Sequence, residues 1–184
     1  MKSGVIEAYL VNNRVIVFDV ENARRLYRHG FYGKFVGIRK AKTLDIQRPL
    51  ELALFEALYL HQKKLLKIKT LDNKELTEKE IYEIGQKAYE NFDIAYKVYT
   101  DLKEKGFVVK SGMKFGATFA VYEHGPGIDH APFLVHVFPY EAKLDPIEII
   151  RAGRLSHSVR KKFVIATLNP STQKILYYTF KWFE

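Results

Sequence analysis

Apolar residues follow two different rhythms along this chain. The first half mixes short alternating runs with stripes at helical spacing. Val5-Ile6 and Val15-Ile16-Val17-Phe18 flank the dipeptide Asn12-Asn13, whose side chains tolerate left-handed backbone. Residues 4–19 therefore predict two strands joined by a tight turn. Asn22 suits the N-cap of a short helix through Tyr27, which Gly30 would end. Pro49 suits the first turn of a longer helix over roughly 49–66, with Ala53, Leu54, Ala57, Leu58 and Leu65 on one stripe. Thr77 and Glu80 have the spacing of a capping box, in which each side chain bonds the other's backbone N–H. The helix they open carries the stripe Ile81, Ile84 and Ala88. Asp93 predicts the cap of a further helix through Lys105, stopped at Gly106.

Beyond Gly106 the rhythm turns to strands. Phe107–Val109, Thr118–Tyr122, Phe133–Phe138, Phe163–Thr167 and Ile175–Phe180 are rich in β-branched and aromatic residues. One helix over roughly 145–160 interrupts them, opened by Asp145-Pro146 and apolar at Ile147, Ile149, Ile150 and Leu155. The expected fold class is α/β (α+β). A mixed α/β N-terminal domain spans 1–91, and a β-rich, nuclease-like α/β C-terminal domain spans 92–184. There is no internal repeat and no low-complexity segment.

Composition narrows the function. At 47% hydrophobic and 14% aromatic, the 184 residues can bury a real core, which excludes wholesale disorder. Thirty Lys and Arg against 21 Asp and Glu leave a formal charge of +9, which points to a polyanionic partner. The absence of cysteine excludes disulfides, thiolate metal sites and cysteine nucleophiles. Glu7, Asn12, Asn13 and Arg14 interrupt the apolar N-terminal stretch, so no signal-peptide core forms there. No run is long and apolar enough to span a membrane, and a cytoplasmic protein is expected.

Two stretches carry candidate chemistry. In the first, a predicted strand ends at Tyr122, Gly125-Pro126-Gly127 forces a tight loop, and His130 stands just before the next strand. Eight positions apart on either side of one loop, Tyr122 and His130 can meet at its mouth. The second stretch is Arg154-Leu-Ser-His-Ser-Val-Arg160-Lys161-Lys162, a dense cationic group at a helix end and strand start. A tyrosine, a histidine and a lysine suffice for RNA cleavage, because RNA carries its own nucleophile in the 2′-OH. That reaction needs a base for the 2′-OH proton, an acid for the departing 5′ oxygen and a cation for charge building on phosphorus. Histidine as a residue type titrates near neutrality and suits the acid, while an ammonium suits the phosphorane. Tyrosine, with a reference pKa of about 10, is a poor base unless nearby cations lower it. His124 lies in the same loop and is an alternative imidazole. By residue type alone, a strand-end tyrosine and a cationic helix end are more often structural than catalytic.

The wording of these segments says more. Phe115–Phe133 together with Arg154-Leu-Ser-His-Ser-Val-Arg-Lys-Lys resembles the catalytic half of archaeal tRNA-splicing endonucleases. Arg48-Pro-Leu-Glu-Leu-Ala-Leu-Phe-Glu-Ala-Leu-Tyr-Leu and the segment from Val98 to Gly116 are similar to that family as well. The resemblance covers roughly 48–184 and is weaker over the first 45 residues. It implies a nuclease that removes introns from precursor tRNA at a bulge–helix–bulge, leaving a 2′,3′-cyclic phosphate and a 5′-OH. It assigns Tyr122 as base, His130 as acid and Lys161, rather than Lys162, as transition-state stabiliser, with no metal and no cofactor. Arg154 matches a family arginine that clamps a flipped bulge base. Lys181 or Trp182 would form the other half of that clamp, and Arg160 and Lys162 complete the expected RNA-binding set.

One departure from the family pattern bears on assembly. The family docks an acidic loop between the last two strands of one subunit into a basic cleft of another. Here that loop reads Leu168-Asn-Pro-Ser-Thr-Gln-Lys-Ile175, with one lysine and no acid. A separate non-catalytic subunit supplying the acidic loop is therefore expected, in an α2β2 heterotetramer; the alternative is a homotetramer. The apolar strand Tyr177-Tyr-Thr-Phe-Lys-Trp-Phe suits edge-to-edge pairing with a partner. Three rivals stand beside this reading, the most remote being a basic DNA-binding module, for which the sequence carries no recognition-helix signature. A metal-dependent nuclease needs clustered carboxylates, whereas only Glu123 and Asp129 lie near the motif, both in the loop. A non-catalytic RNA-binding or scaffolding subunit would have no physical reason to keep all three residues.

Overall fold

The structure is a computed structural model describing residues 4–38, 41, 43 and 45–180. The chain divides into two compact units, Met1–Phe92 and Asp93–Glu184. Each has its own five-stranded mixed sheet, so the expected α+β architecture is what forms.

In the first unit, β1 (Ile6–Val11) and β2 (Arg14–Val17) form the expected hairpin, with Asn12 at a left-handed φ of 54°. Helix α1 (Val20–Gly30) differs from the sequence expectation at both ends. Asp19, not Asn22, is the cap: its carboxylate accepts the Asn22 N–H at 2.7 Å. At the other end Gly30 stays helical and Phe31 takes the left-handed position, its N–H donating to the Tyr27 carbonyl. The short strands β3 (Lys34–Phe35) and β4 (Leu50–Leu52) follow, then α2 (Leu54–Gln62) and β5 (Leu66–Lys69). The expected helix over 49–66 is thus three elements. Its first part is a strand because Leu50 and Leu52 both enter the core while Glu51, between them, pairs with Arg14 at 3.2 Å. The sheet order is β3-β4-β2-β1-β5, with β1 and β5 parallel.

Helix α2 is buried from Leu54 to Leu60 without a break, including Glu56. That carboxylate is satisfied by two backbone N–H groups, of Ala53 at 2.9 Å and Gly33 at 2.8 Å. Gly33 is required there: its φ is +69°, and a Cβ would stand 2.7 Å from the Glu51 carbonyl oxygen. Helix α3 (Glu78–Ala88) carries the predicted capping box. Thr77 Oγ1 accepts the Glu80 N–H, and Glu80 Oε2 accepts that of Thr77 at 2.8 Å.

Helix α4 (Phe92–Glu104) leads into the second unit, where Asp93 sits inside the first turn rather than at the cap. Strands β6 (Val108–Ser111), β7 (Phe119–Tyr122) and β8 (Phe133–Val137) are antiparallel neighbours. Helix α5 (Pro146–Ser158) crosses over to β9 (Lys162–Leu168), which lies parallel to β8, and β10 (Ile175–Phe180) closes the order β10-β9-β8-β7-β6. Asp145 caps α5 as expected, accepting the Ile147 N–H at 2.8 Å with Pro146 in the first turn. Phe163 to Thr167 are all buried, as a central strand covered on both faces requires. Strand β10 is half exposed and is held to α4 by the Tyr177 hydroxyl, which donates to Asp101 at 2.5 Å. No helix among the described residues is long and apolar enough to cross a membrane.

Candidate active site

Register brings the two chemistry-bearing stretches together. Val121 of β7 pairs with Phe133 of β8, and Phe133 pairs with Lys162 of β9, forming one rung across three strands. Tyr122 is the next residue after that rung, Lys161 the residue before it, and His130 stands three positions before Phe133. All three therefore emerge at the same end of the sheet, from two strand ends and the loop between them. The half-buried Tyr122 packs with Phe115 and Val159 against a small cluster of Ala117, Ala120, Ala131 and Leu134. His130 is exposed, as is His124.

Lys161 is aimed by the way α5 ends. The Lys161 N–H donates to the Ser156 carbonyl at 2.7 Å and the Arg160 N–H to that of His157 at 2.9 Å. Those two bonds make a Schellman cap, a geometry in which the residue after the C-cap is left-handed. Arg160 holds that position at φ 54°, without being a glycine. The reversal delivers Lys161 to the start of β9, where its Nζ donates to the Ala131 carbonyl at 2.8 Å, one residue past His130. The ammonium also lies 5.4 Å from the centre of the Phe115 ring.

A carboxylate that the sequence motif did not single out organises the loop. Asp129 accepts three consecutive backbone N–H groups: Glu123 and His124 on Oδ2, both at 3.0 Å, and Gly125 on Oδ1 at 2.7 Å. Burial works to raise its pKa, but these bonds and the charge of His124 hold it below the usual value. Its charge reaches both neighbours. Burial lowers the pKa of Lys161, and Asp129 partly opposes this. Burial raises the pKa of the Tyr122 phenol, and Asp129 raises it further. So the charge acting on Tyr122 is an anion rather than the cation that would make it a better base. The sequence carries no local signal for this role, because the N–H groups that Asp129 accepts lie four to six positions before it rather than two residues on as in an Asx turn.

The cationic set is dispersed along the second stretch. Arg154 is exposed on α5, Arg160 is exposed at its end, and Lys162 is exposed at the first position of β9, 5.6 Å above the Phe133 ring. Lys181 and Trp182 lie outside the described residues. The buried Ser156 belongs to the packed face of α5, whereas His157 and Ser158 are exposed. Among the described residues, no group of three His, Cys, Asp or Glu side chains is arranged to hold a metal ion.

Comparison with known proteins meets this geometry from the other side. Residues 92–177 match the family model for the tRNA intron endonuclease catalytic C-terminal domain, and residues 6–82 match the model for the N-terminal domain of the same family. A tRNA-splicing endonuclease of Hyperthermus butylicus is 46% identical over 178 residues, covering 97% of this chain and 98% of the relative. One from Saccharolobus solfataricus is 44% identical over 179 residues, with the same coverage of each chain. The chain belongs to the tRNA intron endonuclease family. The weak resemblance of the first 45 residues is thereby strengthened, since the N-terminal family model begins at residue 6. Tyr122, His130, Lys161, Arg154, Arg160 and Lys162 all lie within the part that matches the family's catalytic domain.

Proposed function

We propose that this chain is the catalytic subunit of a tRNA-splicing endonuclease, cutting precursor tRNA at a bulge–helix–bulge without a metal ion. What carries the reading is the convergence of Tyr122, His130 and Lys161 at one end of a three-strand rung inside the matched catalytic domain. In the proposed step the 2′-oxygen bonds to phosphorus as the bond to the 5′ oxygen breaks, giving a 2′,3′-cyclic phosphate and a 5′-OH. Tyr122 takes the 2′-OH proton, His130 gives one to the departing oxygen, and the Lys161 ammonium stabilises the phosphorane oxygens. The raised Tyr122 pKa makes its phenolate scarce at neutral pH but strongly basic once formed. Arg154, with Lys181 or Trp182, would clamp a flipped bulge base, and the exposed Arg160 and Lys162 would meet phosphates.

We read the assembly as cytoplasmic and heteromeric, and the hairpin between β9 and β10 supports the second point. Asn169 Oδ1 accepts the Ser171 and Thr172 N–H groups, and Gln173 is left-handed at φ 55°. The resulting tight loop offers a lysine and no carboxylate. A non-catalytic subunit would supply the missing acidic loop in an α2β2 tetramer. The deciding experiment incubates the chain, alone and with a candidate partner, with bulge–helix–bulge RNA in EDTA, comparing wild type with His130→Ala. Cyclic-phosphate product lost in the variant supports the reading. Cleavage that requires Mg²⁺, or that survives His130→Ala, would overturn it.

A further inference from the structure

The Asp129 carboxylate gathers the first three residues of the loop between β7 and β8. Glu123, the first residue it binds, directly follows Tyr122, so its grip starts where the candidate base leaves the strand. His124 and Gly125, the next two, define the turn. The turn is closed from the other side as well, with the Gly125 carbonyl accepting the N–H groups of Ile128 and Asp129, both at 3.1 Å. His130 is the following residue, and the Lys161 ammonium is bonded to the carbonyl of Ala131, one further on. A single side chain thus ties together the exit of Tyr122, the approach to His130 and the neighbourhood of Lys161.

We propose that Asp129 is a positioning residue of the nuclease site: its carboxylate folds the start of the 123–130 loop around itself, and its charge reaches both Tyr122 and Lys161. The inference rests on the proposed function for its catalytic consequence, while its grip on the loop is independent of that reading. Two effects follow from removing the charge. The loop loosens, because an amide can offer an oxygen to one side only and would set its NH₂ against the N–H on the other. The electrostatics also change, and the charged groups facing Asp129 are Tyr122, Lys161 and His124. Without Asp129 the Lys161 ammonium loses the charge that opposes its desolvation, so it deprotonates at lower pH. The Tyr122 phenol loses a charge that discourages ionisation, so it too ionises at lower pH. The Tyr122 and Lys161 titrations thus move in the same direction.

The test is Asp129→Asn in the complete endonuclease assembly, measured by single-turnover cleavage across pH and by RNA binding, with His130→Ala alongside. Expected are a cleavage rate lower by about 10²-fold, as for a catalytic group displaced by about 1 Å, binding within about 2-fold of wild type, and a profile shifted to lower pH. A merely structural role would lower the amplitude without moving the profile. An unshifted profile, whether or not the rate falls, would overturn the proposal so long as His130→Ala is inactive. If His130→Ala stays active, the nuclease reading fails instead, and hydrogen exchange in the wild-type chain still decides the loop. The Glu123, His124 and Gly125 amides should be protected at neutral pH and lose protection as acid protonates Asp129. Amides that exchange freely at neutral pH would refute its hold on the loop, and that measurement needs no variant to fold.

Discussion

At the scale of single residues, the site places groups where they are costly to keep. Lys161 is partly desolvated, and its pKa is lowered by that burial with only partial compensation from Asp129. A depressed amine pKa means the folded state binds the proton less tightly than the unfolded chain does. Stability therefore rises as pH climbs through the folded and then the unfolded pKa, and at neutral pH the ammonium is a net cost to the fold. Asp129 differs in that its charged form stabilises: its pKa is lowered too, so stability again rises with pH, the contribution being present above the unfolded pKa and lost as pH falls through the folded one. Lys161→Met should thus keep or raise the unfolding midpoint by about 2 °C while lowering cleavage by about 10²- to 10³-fold. Thermal unfolding and single-turnover assays on the same preparation check this. A variant that lost stability and activity together would mean Lys161 is chiefly structural. The candidate trio of Tyr122, His130 and Lys161 could be proposed from sequence because it lies in a worded motif, and the strand register brings the three to one end of the sheet. Asp129 could not be proposed this way, because its role depends on N–H groups that converge only once the loop has folded.

Between residue and domain, the ends of the helices carry a comparison that tests itself. Helices α2, α4 and α5 close with the same pair of bonds, and their left-handed positions are Lys64, Gly106 and Arg160. Only Gly106 adopts its φ without a Cβ penalty, and a Cβ there would meet nothing within 4 Å. Gly106→Ala should therefore cost about 1 kcal/mol from backbone conformation alone. Arg160→Gly should stabilise by about 0.5 kcal/mol, the relief of left-handed strain being partly offset by the freer unfolded chain. Chemical denaturation reads both, and opposite signs are expected. If glycine at 160 also weakens RNA binding, then a strained arginine is retained for its charge; unchanged binding would leave the strain without a function. These caps also explain where sequence reading failed. Gly106 announces a stop and was read correctly, whereas Lys64 gives no such signal, so α2 seemed to run on to residue 66. At its start, the alternation Leu50-Glu51-Leu52 is too short to compete with a helical stripe until β2 and β3 supply its hydrogen bonds. The second unit was easier because its strands are longer and separated by strong turn residues.

For the molecule as a whole, the remaining question is what completes it. The formal charge of +9 suits a tRNA-sized polyanion, yet a cation-rich surface also needs an anionic counterpart wherever subunits meet. Within this chain the β9–β10 hairpin cannot be that counterpart, since its loop carries only Lys174 as a charge. Strand β10 stands at the end of its sheet, paired with β9 on one side and exposing Tyr178 and Phe180. Such an edge invites another strand, by hydrogen bonds and apolar contact rather than by charge, so self-pairing through β10 is compatible with the missing acidic loop. The two features together predict a chain that pairs with one partner by its edge and goes no further alone. Native mass measured by light scattering should show fewer than four copies, insensitive to salt because apolar pairing is not screened. Adding a subunit with an acidic loop should raise the mass to that of a tetramer, and salt should reverse this step. Cleavage should follow the second step. A stable assembly of four copies of this chain alone would overturn the α2β2 arrangement, and the basic cleft would then have to be filled by something other than the β9–β10 loop.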